Sequence, residues 1–125
     1  MDPRVERVEH AMQLIGGRWR PAMMFILITQ GTQRFSQLRR LIPGVSQRML
    51  TKQLRDLERH GLVERRFFES VPPRVEYSAT ELGRSLHTIY KGVCDWAADC
   101  WPQITTARER YDSKSAPCRA SDKRP

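Results

Sequence analysis

With 125 residues, 39% of them hydrophobic, the chain can make one domain with a modest core. Its 22 Lys and Arg against 14 Asp and Glu leave a net charge of +8, which suits a polyanionic partner or an acidic membrane surface and says nothing about fold. No stretch approaches the roughly 18 uncharged apolar residues of a membrane span, and the charged opening MDPRVERVEH lacks the apolar region of a secretion signal. No membrane association and a cytoplasmic location are therefore expected.

Val5, Val8, Met12 and Ile15 recur at helical steps and predict an amphipathic helix ending at Gly16-Gly17. In RWRPAMMFILITQG, Pro21 suits a first helical turn. The run Ala22–Ile28 is apolar on every side, which predicts a central buried helix stopped by Gly31. Ser36 reads as the N-cap of a short helix with Leu38, Leu41 and Ile42 inward, broken by Pro43-Gly44. Ser46 caps the next helix, which buries Leu50, Leu54 and Leu57 and ends at His60-Gly61.

After Gly61 the period changes. Leu62–Glu69 and Val75–Ala79 read as two strands joined by SVPPR, whose prolines suit a connection. Thr80 reads as the N-cap of a long final helix. Its apolar stripe is Leu82, Leu86, Ile89, Val93, Trp96 or Ala97, Cys100 and Ile104, widened by Tyr90, Ala97 and Trp101. Pro102 is expected to kink or end it. The domain is thus drawn over 5–104, and residues 112–125 read as a disordered basic tail.

The helix after Ser46 carries Arg48, Lys52, Arg55 and Arg59 on one face, away from its leucines. Like charges one turn apart cost roughly 0.2–0.5 kcal/mol per pair, so the row needs a compensating partner. Between Arg34 and Arg74 stand ten Lys/Arg and four Asp/Glu, which places most of the net charge in this third of the chain. A short helix, a glycine-containing turn, a basic-faced helix and a two-stranded ribbon follow one another. That is the order of a helix-turn-helix with a wing: a mainly α chain with a small β-hairpin, an α+β fold.

An α-helix fits the DNA major groove, where its N-terminal residues meet base edges. Ser46, Gln47, Arg48, Thr51, Lys52 and Arg55 are placed for double-stranded DNA, Arg48 for guanine and Gln47 for adenine. Arg65, Arg66 and Arg74 extend the positive surface onto the ribbon. The far half of the final helix has no evident partner within so small a domain, and a symmetric dimer would bury it.

Nothing indicates an enzyme, a metal or a cofactor. His10, His60 and His87 lie on three separate predicted helices, and no GxSxG, HExxH or phosphate-loop pattern occurs. Cys94, Cys100 and Cys118 make no zinc spacing, and the first two stand too far apart on a helix for a disulfide.

LIGGRW (Leu14–Trp19), RFSQLRRLIPGVSQRMLTKQLRDLERHGLVERR (Arg34–Arg66) and VPPRVEYSATELGRSL (Val71–Leu86) resemble the HxlR-type winged-helix regulators, relatives of the MarR group. The resemblance implies a bacterial homodimer on a palindromic operator. It makes Ser46–His60 the recognition helix and Leu62–Ala79 the wing, on the flanking backbone or minor groove. It assigns the dimer interface to the first and last helices: Val5, Val8, Met12, Val93, Trp96, Ala97, Cys100, Trp101 and Ile104. It also implies a small aromatic or electrophilic effector in some members. Two departures stand out: Glu6 occupies the place of a sensing cysteine in the family's CPVE-like stretch, and Glu69 the place of a wing proline.

Three readings stay open beside this one. An effector cavity would be lined by Met23, Phe25, Trp96 and Trp101. Redox control would act through Cys94, Cys100 or an intersubunit pair. The runner-up from another class is a winged-helix protein-interaction module with an acidic partner.

Overall fold

The computed structural model describes residues 1–115, as six helices and three strands. They fall into two compact units, Met1–Tyr90 and the segment from Lys91 onward.

In the first unit, α1 (Pro3–Ile15) starts on Asp2, whose carboxylate accepts the Arg4 amide, and ends where the Gly16 N–H reaches the Met12 carbonyl at 2.8 Å. Helix α2 (Arg20–Thr29) has Pro21 in its first turn and fully buries Met23 and Met24, with Ile26 and Leu27 close behind. Around it pack Leu38 from α3 (Phe35–Leu41), Leu50, Leu54 and Leu57 from α4 (Gln47–Arg59), and Ile42 and Val45 from the turn between α3 and α4. Leu62, Val63 and Ala79 close the core from the sheet side.

The sheet has three strands, β1 (Gln33–Arg34), β2 (Val63–Phe68) and β3 (Arg74–Ala79), in the order β1-β3-β2. Arg65 faces Tyr77 and Phe68 faces Arg74 across the hairpin. The two-residue β1 pairs Gln33 with Tyr77 and was not foreseen. So short a strand leaves no alternation to read.

Four further expectations are corrected. Ser36 lies inside α3 rather than capping it; the Gln37 side chain closes the first turn by accepting the Arg34 amide at 2.7 Å. Leu41 is 43% exposed, because the inward position one turn after Leu38 is taken by Ile42, 3% exposed. Thr80 does cap a helix, accepting the Gly83 amide at 3.0 Å, but that helix, α5 (Glu81–Arg84), is a single turn. It sits so close to Leu62 that a Cβ on Gly83 would fall 2.2 Å from the Leu62 carbonyl oxygen, and it leaves Leu82 exposed. The long helix, α6 (His87–Ser115), begins afterwards and runs through Pro102, which removes one N–H from its ladder without ending it.

In the second unit, α6 exposes Val93, Trp96 and Trp101 and half-buries Ala97, Cys100 and Ile104. Its last turn takes in residues 112–115 of the stretch read as tail; the remainder lies outside the described residues. No described helix is long and apolar enough to cross a membrane.

Candidate nucleic-acid interface

Helix α4 is held firmly at both ends. Ser46 adopts an extended backbone and its Oγ accepts the Met49 amide at 3.0 Å, as an N-cap requires. At the other end Gly61 takes φ of 76°, a left-handed conformation that suits glycine. There the Leu62 amide reaches the Leu57 carbonyl and the Gly61 amide the Glu58 carbonyl, both at 3.0 Å, while Leu62 is buried. This pairing is a Schellman cap. Leu50, Leu54 and Leu57, at most 1% exposed, lock the rotation of the helix about its axis.

With the leucines inward, Gln47, Arg48, Lys52, Arg55 and Arg59 are exposed and Thr51 half-exposed. Gln47, Arg48, Thr51, Lys52, Arg55, Asp56 and Arg59 line one open groove of about 650 Å³. Among the described residues Arg48, Lys52 and Arg55 have no carboxylate within ion-pair distance. Arg59 lies 3.8 Å from Asp56.

The wing arginines divide. Alternate residues of a strand point to opposite faces, so Arg65 leaves on the face opposite Arg66. Arg65 shares a hollow of about 350 Å³ with Thr51, Arg55, Glu58 and Tyr77, close to the recognition helix. Arg66 and Arg74 lie over the Phe68 ring, their guanidinium carbons 5.6 and 4.3 Å from its centroid. Each also meets a carboxylate of its own face: Arg66 meets Glu64 at 3.8 Å and Arg74 meets Glu76 at 3.1 Å. Phe68 was not singled out from the sequence; its two-residue offset from Arg66 was the available signal.

A second group went unforeseen. Arg20 pairs with Asp56 and donates to Gln53 Oε1 at 2.7 Å, so α2 grips the flank of α4. These partners are 33 and 36 residues apart, and no local spacing announces them.

Of the residues proposed to line an effector cavity, Met23 is wholly buried in the core and the Phe25 ring stacks on His87 at 6.5 Å. Both serve packing in the first unit. Trp96 and Trp101 are 53% and 46% exposed.

A short helix, a tight turn, a capped basic helix and a β-hairpin on a shared core define a winged helix-turn-helix, a DNA-binding architecture. Residues 14–105 match the model of the HxlR-like helix-turn-helix family, and the chain belongs to that family. It is 40% identical over 116 residues to the HTH-type transcriptional regulator YdeP of Bacillus subtilis, covering 93% of this chain and 84% of that one. Among solved structures it is similar to the redox regulator HypR in its reduced form, with a TM-score of 0.74 and 40% identity over 80% of this chain and 98% of the other. It is also similar to diamide-treated YodB of B. subtilis, with a TM-score of 0.64 and 32% identity over 79% and 94%. The protein is a DNA-binding transcriptional regulator.

Proposed function

We propose that the protein works as a homodimer on a palindromic operator, with α4 in the major groove and the β2–β3 wing on the flanking backbone or minor groove. The observation that carries this reading is the row of Arg48, Lys52 and Arg55, exposed and without ion pairs among the described residues, on a helix fixed at both ends. Phosphates compensate such a row when they replace its counterions. Arg48 and Gln47 stand nearest the helix N-terminus and read bases, while Arg55, Arg59 and the wing arginines hold phosphate. Dimerisation is supported by the exposed Val5, Val8 and Met12 of α1 and Val93, Trp96 and Trp101 of α6. The site of action is the cytoplasm, where bacterial DNA lies.

Comparing two variants on operator and random duplexes tests the assignment. Arg48→Ala should cost about 1–3 kcal/mol on the operator and flatten sequence preference. Arg66→Ala should weaken both duplexes alike and reduce the salt slope by about 1. Equal loss on both duplexes for Arg48→Ala removes it from base reading.

Response to an electrophile is the regulatory part of the proposal, supported by kinship with a redox regulator and by the exposed Cys94 thiol. Operator affinity should fall after diamide treatment and hold in Cys94→Ser; unchanged affinity in the treated wild type ends this part.

A further inference from the structure

The single carboxylate lining the basic groove of α4 belongs to Asp56. A carboxylate there repels phosphate, yet it is held by a cation from outside the helix. Arg20, the first residue of α2, has a side chain only 17% exposed and uses all three guanidinium nitrogens. Nε donates to Gln53 Oε1 at 2.7 Å, one terminal nitrogen donates to the Leu14 carbonyl at 2.8 Å, and the other pairs with Asp56 Oδ2.

Gln53 and Asp56 stand one turn apart on the flank of α4, between its leucines and its basic row. Leu14 lies in the last turn of α1, where carbonyls lack helical partners. The neighbouring Ile15 carbonyl is taken by the Tyr90 hydroxyl at 2.7 Å. One guanidinium therefore joins the end of α1, the start of α2 and the side of the recognition helix. A planar fork with fixed donors sets orientation as well as charge.

Asp56 has two further cationic neighbours. Arg59 lies 3.8 Å from Oδ1, and His60 Nδ1 lies 3.6 Å from Oδ2, charged only when protonated. If Arg20 were absent, Arg59 would be the remaining permanent cation beside Asp56 and would be drawn away from phosphate.

We propose that Arg20 is a positioning residue for DNA binding: it holds and neutralises Asp56 so that the groove meets phosphate with its positive charge undiminished. This rests on α4 being the DNA-facing helix. Arg20 stands outside the basic row, half-buried and not part of the groove lining, and reaches the groove through Asp56.

The test measures operator affinity and thermal melting of the full chain and its Arg20→Ala, Asp56→Asn and doubly substituted forms at about physiological salt. Arg20→Met, which keeps the bulk of the stem, is made alongside in case Arg20→Ala does not fold. Removing Arg20 should weaken binding about ten-fold, the scale of one charge-assisted contact. Adding Asp56→Asn should restore affinity to within about three-fold of wild type, because the two changes are coupled through one charge. A merely structural Arg20 predicts the reverse, since the second change removes another contact from α4 and melting falls further. A double variant no tighter than the single one overturns the proposal, as does wild-type affinity in Arg20→Ala. Loss of folding in both Arg20 variants would assign the residue to the fold alone and also overturn it. Failure of the wild-type chain to prefer any duplex would instead remove the interface on which the proposal rests.

Discussion

Helices α1 and α4 are each 13 residues long and carry apolar residues at the same three- and four-residue steps, yet they are used in opposite ways. The stripe of α4, Leu50, Leu54 and Leu57, is at most 1% exposed. The stripe of α1 leaves Val5, Val8 and Met12 between 47% and 61% exposed and buries Ile15 alone. Periodicity says that a helix has an apolar face; it does not say whose surface covers that face. For α4 the cover is the chain's own core, and the polar face is left free for DNA. For α1 the proposed cover is a second copy of the chain.

That contrast can be broken in three places. The largest effect belongs to α4: Leu54→Ala should cost about 2–5 kcal/mol of unfolding free energy, the range for a fully buried leucine. Chemical denaturation measures it, and a loss below about 1 kcal/mol would mean that the stripe is not core.

Val8→Asp should separate the copies while changing the folded chain's helix content little, because an exposed position tolerates charge. Sedimentation equilibrium would detect the change in mass; a variant that sediments like wild type would place the interface elsewhere.

The smallest effect is at Tyr90, beside the end of α1. Tyr90→Phe leaves the Ile15 carbonyl without its donor and should cost about 1 kcal/mol. Burial pushes the Tyr90 phenol up to about 12 from its ordinary value of 10.0. Folding thus favours the neutral hydroxyl. The stability it confers is complete below pH 10.0 and drains away as pH rises towards about 12. Stability curves of wild type and Tyr90→Phe should therefore converge across that window, and parallel curves would contradict the account.

Much of α4 was legible because its determinants are local. Ser46, the leucine spacing and Gly61 lie within one helix and its caps, and the basic row follows from their register. What the sequence hid was non-local. The strand Gln33–Arg34 exists because β3 offers an edge beside it, and the break between α5 and α6 comes just after Gly83, which lies against the Leu62 carbonyl, 21 residues back in the chain. Pro102 does not end α6 for another reason: a proline costs a helix one hydrogen bond and some strain, and a helix of 29 residues can absorb that loss. Within the site, Gln47, Arg48, Thr51, Lys52 and Arg55 were found together, while the Arg20 bracket required the fold.

The homodimer proposed above would present the sequence-reading surface of α4 in two symmetric copies. Selection of bound duplexes from a random pool at about physiological salt tests it most directly, because weak non-specific binding is suppressed there. A dimer of this kind should select an inverted repeat whose half-sites lie about one helical turn apart, roughly 34 Å. A pool that emerges with no preferred sequence would contradict it.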